Sequence, residues 1–309
     1  MKKLLVLHYS QSGQLTDILN SFLKPIIDSG QVELTYEPVA PDKPYPFPWR
    51  LRSFIDAMPE AVLQIPCPLK PLKFKPDVRF DAVILAYQVW YLSPSTPICS
   101  VLKEAKLTKV LDDTPVITLI GCRNMWLNAH EVIKKQLISC HAFPAANIVC
   151  MDRASNLTSI VTILFWMLTG RKERFLNLFP KPGVSDAEIK STGRFGAEIL
   201  PALISDQSNP WEGLQERLNR LGAVTVNPSY IVFEQRVAMV FNIWARFIRR
   251  KGGPGTTARR VRLRLFMVYL TTAIIVLSPI AAVFRFVLQK FQIKKMNYLM
   301  DYYAGNRFH

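Results

Sequence analysis

The chain has 309 residues, half of them hydrophobic, which is enough for one sizeable α/β domain with an extension but hardly for two full domains. Its formal net charge of +16 is unevenly placed, since residues 1–234 carry 25 Lys+Arg against 22 Asp+Glu, while residues 235–309 carry 14 against Asp301 alone. A basic excess confined to the tail, around an apolar segment, argues against a nucleic-acid-binding body and for attraction to anionic lipid.

Short apolar runs of β character alternate with helical patterns. The first is "KLLVLHY" (3–9), then "VELTYEP" (32–38), "DAVILAY" (81–87), "PVITLIG" (115–121) and "AANIVCM" (145–151). Apolar residues on both sides of the pleat predict strands covered on both faces, as in a parallel sheet. Helices are predicted between them at about 15–24, 49–58, 96–106 and 125–139, and a fifth after "SDAEI", where Ser185 and Glu188 form a capping box. This alternation predicts a doubly wound α/β fold with a five-stranded parallel sheet of order 2-1-3-4-5.

Two stretches interrupt the alternation. Residues 38–76 hold ten of the 22 prolines and read as an extended surface connection around a short helix. Residues 155–184 form a lipophilic insert whose "IVTILFWML" is too short to span a bilayer and too apolar to be left in water. It either packs on the core or enters a membrane interface.

Past residue 204 the sequence reads as a basic helical connector (205–264), then "LFMVYLTTAIIVLSPIAAVF" (265–284), then a basic tail (285–309). The 20 uncharged positions are long enough to cross the hydrocarbon layer. Eight Lys/Arg between Ala245 and Arg264 against four between Arg285 and Ala304 place the body on the cytoplasmic face of the inner membrane. Pro279 and the basic flanks leave a re-entrant or in-plane arrangement open. The five cysteines show neither a C-x-x-C pair nor a zinc-like spacing with the four histidines, which fits a reducing compartment and no structural metal. The apolar run in "MKKLLVLHYS" is too short for a signal peptide.

In a 2-1-3-4-5 sheet, ligands bind beyond the carboxyl ends of the strands beside the switch point. The loop after the first strand, "YSQSGQLT", offers Ser10, Gln11, Ser12, Gly13, Gln14 and Leu15. It has neither the lysine of a P-loop nor the glycine spacing of a dinucleotide fingerprint, and its hydroxyls and backbone amides suit the phosphate of FMN. The loop after the third strand, "AYQVWYLSPSTP", carries Gln88, Val89, Trp90, Tyr91 and Leu92, which suit a flat heteroaromatic ring. After the fourth strand, "GCRNMWLNAHE" adds Cys122, Arg123, Asn124 and Trp126. His130 and Tyr87 are the candidate acid–base groups, and His8 reads as a packed core histidine. Glu37, near the end of the second strand, is weak support for a ribose site without the glycine fingerprint.

"VLHYSQSGQLT" resembles the phosphate loop of the flavodoxin-like superfamily, and "FDAVILAYQVWYLSPSTPICSVL" resembles its flavin-ring loop. The resemblance covers about residues 1–204 and implies a flavodoxin-like FMN-binding domain. One departure is Leu15, where the family often has a hydroxyl, with Thr16 one place later. A narrower resemblance, in "LHYSQSGQL", "VWYLSPS", the insert before "GVS" and the basic apolar tail, is to the membrane-associated dialkylresorcinol condensing enzyme/aromatase family of dialkylresorcinol and aryl-polyene biosynthesis. That resemblance implies an FMN-dependent oxidoreductase that aromatises a dialkyl cyclohexanedione delivered by a ketosynthase partner. A quinone reductase or electron shuttle on the same scaffold, and a flavin-free membrane scaffold for a lipid synthase, are the alternatives.

Overall fold

The computed structural model of the protein describes residues 1–277 and 293–306. The sheet begins with β1 (Lys2–His8), followed by α1 (Gln14–Asp28), β2 (Val32–Pro38), the short helices α2 (Leu51–Asp56) and α3 (Met58–Val62), and β3 (Ala82–Trp90). Next come β4 (Ser93–Pro94), α4 (Thr96–Val101), α5 (Ala105–Leu111), β5 (Pro115–Cys122), α6 (Leu127–Ser139) and β6 (Phe143–Met151). The insert supplies α7 (Asn156–Thr169), and α8 (Asp186–Ser191), α9 (Gly193–Ile204) and α10 (Leu214–Arg220) complete the body. Three helices follow: α11 (Pro228–Arg249), α12 (Arg260–Thr272) and α13 (Ile293–Ala304).

Five strands pair in parallel along the path β2-β1-β3-β5-β6, with helices on both faces, an α/β architecture consistent with a flavodoxin-like fold. The expected five-strand order is amended by a sixth strand, β4, which turns back antiparallel on β3 through Val89–Pro94 and Trp90–Ser93. Its two-residue turn places both Tyr91 (φ 52°) and Leu92 (φ 63°) in the left-handed region. Hairpin turns of this kind normally take Asn or Gly, so nothing in Tyr91–Leu92 announces one.

Alternation along the strands separates two cores. Leu4, Val6, Ile84, Ile117 and Ile148 face α1 and α9, and Leu5, Leu7, Val83, Leu85 and Ile120 face α4 and α6. Gly196 lets α9 approach α1 so closely that a Cβ there would sit 1.9 Å from the Phe22 carbonyl oxygen. The free edge of β6 is covered by α10. Gln215 accepts from the Asn147 N–H (2.7 Å) and donates to its carbonyl (3.1 Å), which removes an unpaired ladder site.

Packing continues beyond residue 204. Leu214, Leu218 and Ala223 belong to the α1-side core, and α11 and α12 pack on α2 and α3 through Ile248, Phe266, Ile55 and Met58. An ion cluster locks this contact: Arg259, with a fully buried side chain, donates to Asp56 Oδ1 (2.7 Å) and Glu60 Oε1 (2.8 Å), and Arg249 lies 3.4 Å from Glu60. The expected membrane span 265–284 is described only to Leu277, as the end of α12 and a π-helical turn (Ala273–Leu277), and residues 278–284, with Pro279, lie outside the described residues. Among the described residues no helix is long and apolar enough to cross a membrane. In the expected basic tail, residues 285–292 and 307–309 likewise lie outside.

Candidate functional site

β1 ends at His8, and the chain turns through Tyr9–Gly13 into α1. Gly13 stands just before the helix with φ 86° and ψ −26°, a conformation that costs a residue with a Cβ about 1–2 kcal/mol. A Cβ there would meet nothing within 4 Å, so the requirement is conformational and the space beside it is open. Ser10 Oγ accepts from the Thr16 N–H (3.3 Å), and the Gln11 N–H donates to Gln88 Oε1 (3.3 Å), tying the loops after β1 and β3 together. Among the described hydrogen bonds, none is donated by the N–H groups of Ser12, Gly13, Gln14 or Leu15. Consecutive unpaired donors at a helix start attract an anion.

Three members of this loop take roles other than side-chain phosphate ligands. Gln14 makes a reciprocal pair with Val184, accepting from its N–H (3.0 Å) and donating to its carbonyl (3.1 Å), so it fastens the insert to the loop. Leu15 is buried against Gly121 in the α1-side core, which leaves only its N–H for a ligand. Gln11 Nε2 donates to the Pro46 carbonyl (2.9 Å) and holds the proline-rich segment across the carboxyl end of the sheet.

That segment forms an aromatic roof. Trp90 meets Tyr45 (centroids 5.0 Å), Trp49 (5.7 Å) and Tyr9 (5.8 Å), all edge-on. Half-buried Val89 stands beside it in β3. Tyr91 turns away, donating its hydroxyl to the Phe54 carbonyl, and burial raises its pKa well above the usual value. The buried Leu92 carbonyl accepts from Asn128 Nδ2 (2.7 Å), a link between the loop after β3 and the start of α6 that the sequence did not announce.

In the loop after β5, Arg123 Nη1 donates to Asn156 Oδ1 (2.8 Å), the Asn156 carbonyl (3.0 Å) and Ser159 Oγ (3.0 Å), anchoring the start of α7. Burial lowers the pKa of this guanidinium. Cys122 is buried with its thiol pushed up by desolvation, and Trp126 packs in the core on His130 (5.6 Å) and Tyr303 (6.2 Å). Asn124 donates to Asn156 Oδ1 (3.3 Å) and borders a cleft of ≈ 210 Å³. A second cleft, of ≈ 370 Å³, lies across Met151–Ala154 and is bordered by Gly183 and Val184. Asp152 lines both, accepts from the Ala154 (2.8 Å) and Gly183 (3.2 Å) N–H groups, and has its pKa raised by burial. No motif in the sequence marked it.

His130 and Tyr87, expected as acid–base groups, are instead enclosed in the core. Tyr87 is fully buried and its hydroxyl meets His130 Nδ1 at 3.3 Å, while His130 Nε2 meets Asn306 Oδ1 at 3.0 Å under α13. Desolvation, with Lys134 second, lowers the His130 pKa to about 3, so the imidazole is neutral and engaged at both nitrogens. Glu37 is likewise structural, accepting from the Lys73 (2.6 Å) and Phe74 (2.9 Å) N–H groups. His8 is buried, as expected, and packs edge-on with Tyr36 at 6.0 Å. The described residues include no group of His, Cys, Asp and Glu able to hold a metal ion.

No protein-family model and no curated protein matches this chain. Among solved structures, a flavoprotein from Lactobacillus acidophilus NCFM in complex with FMN is similar at a TM-score of 0.36 and 18% identity, over 44% of this chain and 87% of that one. A candidate flavoprotein from Bacteroides eggerthii DSM 20697 is similar at a TM-score of 0.36 and 15% identity, over 46% of this chain and 85% of that one.

Proposed function

We propose that this chain binds FMN at the carboxyl end of the sheet and works as a flavin-dependent oxidoreductase. The observation that carries the reading is the start of α1. Four consecutive N–H groups, Ser12 to Leu15, lack partners among the described hydrogen bonds beside an open-sided Gly13 and the Ser12 hydroxyl. This donor set fits a dianionic phosphate, with each charge-assisted hydrogen bond contributing about 1.5–3 kcal/mol. Ser12–Leu15 would hold the phosphate, Gln11 and Gln88 would fix the two loops around it, and Val89 and Trp90 would flank the ring. Bound FMN supplies a two-electron acceptor for a hydride.

Within this reading the substrate is a lipophilic ring compound, and the conversion of a dialkyl cyclohexanedione to a dialkylresorcinol, by loss of a hydride and a proton, is the specific reaction proposed. The support for a flat substrate is the aromatic lining of Tyr45, Trp49 and Trp90. The enclosed His130 and Tyr87 do not supply the base. One observation favours a second reading, a flavin-free scaffold: Tyr45 and Trp49 already cover Trp90, so a ring must displace them or stack outside them.

Mass spectrometry of small molecules released on denaturing the purified full chain separates the two. Stoichiometric FMN is expected. A colourless protein that also takes up no added FMN overturns the flavin reading.

A further inference from the structure

Helix α7 buries two polar side chains beside Trp166 and leaves apolar ones exposed. Its Ser159 and Thr162 are fully buried, whereas Leu157 and Val161 are 48% and 38% exposed. The cause lies in the loop after β5: Arg123 needs oxygen acceptors, finds them in Asn156 and Ser159, and so draws the polar side of the helix inward. Leu157 and Val161 are left outward, and Leu176 and Leu178 are exposed beyond the helix.

A second apolar face lies on the α11–α12 hairpin. Met239, Ile243 and Phe247 recur at helical spacing between the exposed Arg236 and Arg250, and Val261, Leu265 and Val268 form a matching stripe on α12. Trp244 and Tyr269 join the two helices with ring centroids 5.2 Å apart. Contiguous apolar surface of this kind marks an interaction site. Its charge names the partner: between residues 235 and 277 there is no Asp or Glu, while Arg246, Arg250, Lys251, Arg260 and Arg264 are exposed. A second copy would bring the same positive charge against itself, whereas an anionic lipid surface complements it.

A chain of contacts joins α7 to the hairpin. The Met167 carbonyl at the end of α7 accepts from the Trp49 N–H (2.7 Å), Trp49 packs on Phe54 (5.8 Å), and Phe54 packs against the same cluster as Phe241 and Trp244 of α11.

We propose that the outer faces of α7 and of the α11–α12 hairpin form one surface that seats in the headgroup region of an anionic bilayer, with these helices lying in the membrane plane. The Tyr45–Trp49 roof over Trp90 links the two faces, so a ligand route opened there borders lipid. The docking itself is independent of flavin binding.

The test is sedimentation of the full-length protein with vesicles of phosphatidylcholine alone or with about one-third phosphatidylglycerol. Binding is expected to the anionic vesicles and to weaken as salt is raised. Leu157→Ser with Val161→Ser, and separately Ile243→Ser with Leu265→Ser, should each lower partitioning about tenfold. Arg246→Gln with Arg250→Gln should lower it about twentyfold. All three pairs are exposed, so circular dichroism and flavin content should match the parent chain. Equal binding to neutral vesicles, full binding by either serine pair, or a solution dimer that the serine pairs dissociate would each overturn the proposal.

Discussion

On the α1 face of the sheet, packing is apolar and close, with Gly196 admitting the Phe22 carbonyl and Ile18, Leu19, Phe22 and Ile26 fully buried along one helix. The opposite side buries Glu60, His130, Lys134, Glu234 and Arg259, and each is held by a partner distant in sequence. The difference shows two ways of fixing loops at the carboxyl end. The α1 side sets the loop after β1 by rigid hydrophobic contact. The other side holds α3 and α6 through ionisable groups whose partners come from the C-terminal region. Stability on the first side should therefore respond to volume, and on the second to charge and pH.

The largest effect is expected at Arg259. Arg259→Leu strands the carboxylates of Asp56 and Glu60 and should cost about 3–5 kcal/mol in denaturant unfolding. Replacing Arg259 and Glu60 together by apolar residues should cost less than the single change. A loss below about 1 kcal/mol in the single variant would remove the ion cluster as the lock between α12 and α2–α3.

Glu234 gives the next effect. It caps the start of α6 by accepting from the Asn128 N–H (2.7 Å), and burial pushes its carboxyl from 4.5 up to about 7. The folded state holds this proton more tightly than the unfolded chain, so its contribution is complete below pH 4.5 and is lost as pH rises through about 7. The shift corresponds to about 3 kcal/mol. His130 acts in the opposite sense: its lowered pKa makes stability fall as pH drops from 6.5 toward about 3. In unfolding curves measured across pH, Glu234→Gln should remove a fall in stability between pH 4.5 and about 7, and His130→Gln a rise between about 3 and 6.5. Unchanged slopes in both would show that these groups do not titrate in the folded chain as described.

A smaller effect tests the apolar side. Gly196→Ala forces α9 away from α1 and should cost about 1–3 kcal/mol with no change in pH dependence. A pH-dependent loss there would break the contrast between the two faces.

The same contrast explains what could be read from the sequence. The strands and α1 announce themselves by local alternation, and "YSQSGQLT" falls between β1 and α1 where a phosphate loop belongs. What stayed hidden depends on distant partners. Asp56 and Arg259 are 203 positions apart, Gln14 and Val184 are 170 apart, and His130 is closed off by Asn306. No local pattern carries such pairings. The Tyr91–Leu92 turn escaped for another reason, because tertiary contacts of Tyr91 with Phe54 overrode the residue preferences of a left-handed turn.

The central claim is that the start of α1 holds a phosphate. Titrating the flavin-stripped full chain with FMN and with riboflavin, which differ only in that phosphate, tests it most directly. FMN should bind at least about a hundredfold tighter than riboflavin, from two or more charge-assisted hydrogen bonds. Ser10→Ala with Ser12→Ala should narrow the gap. Equal affinity for the two flavins, or a gap untouched by the double substitution, would contradict it.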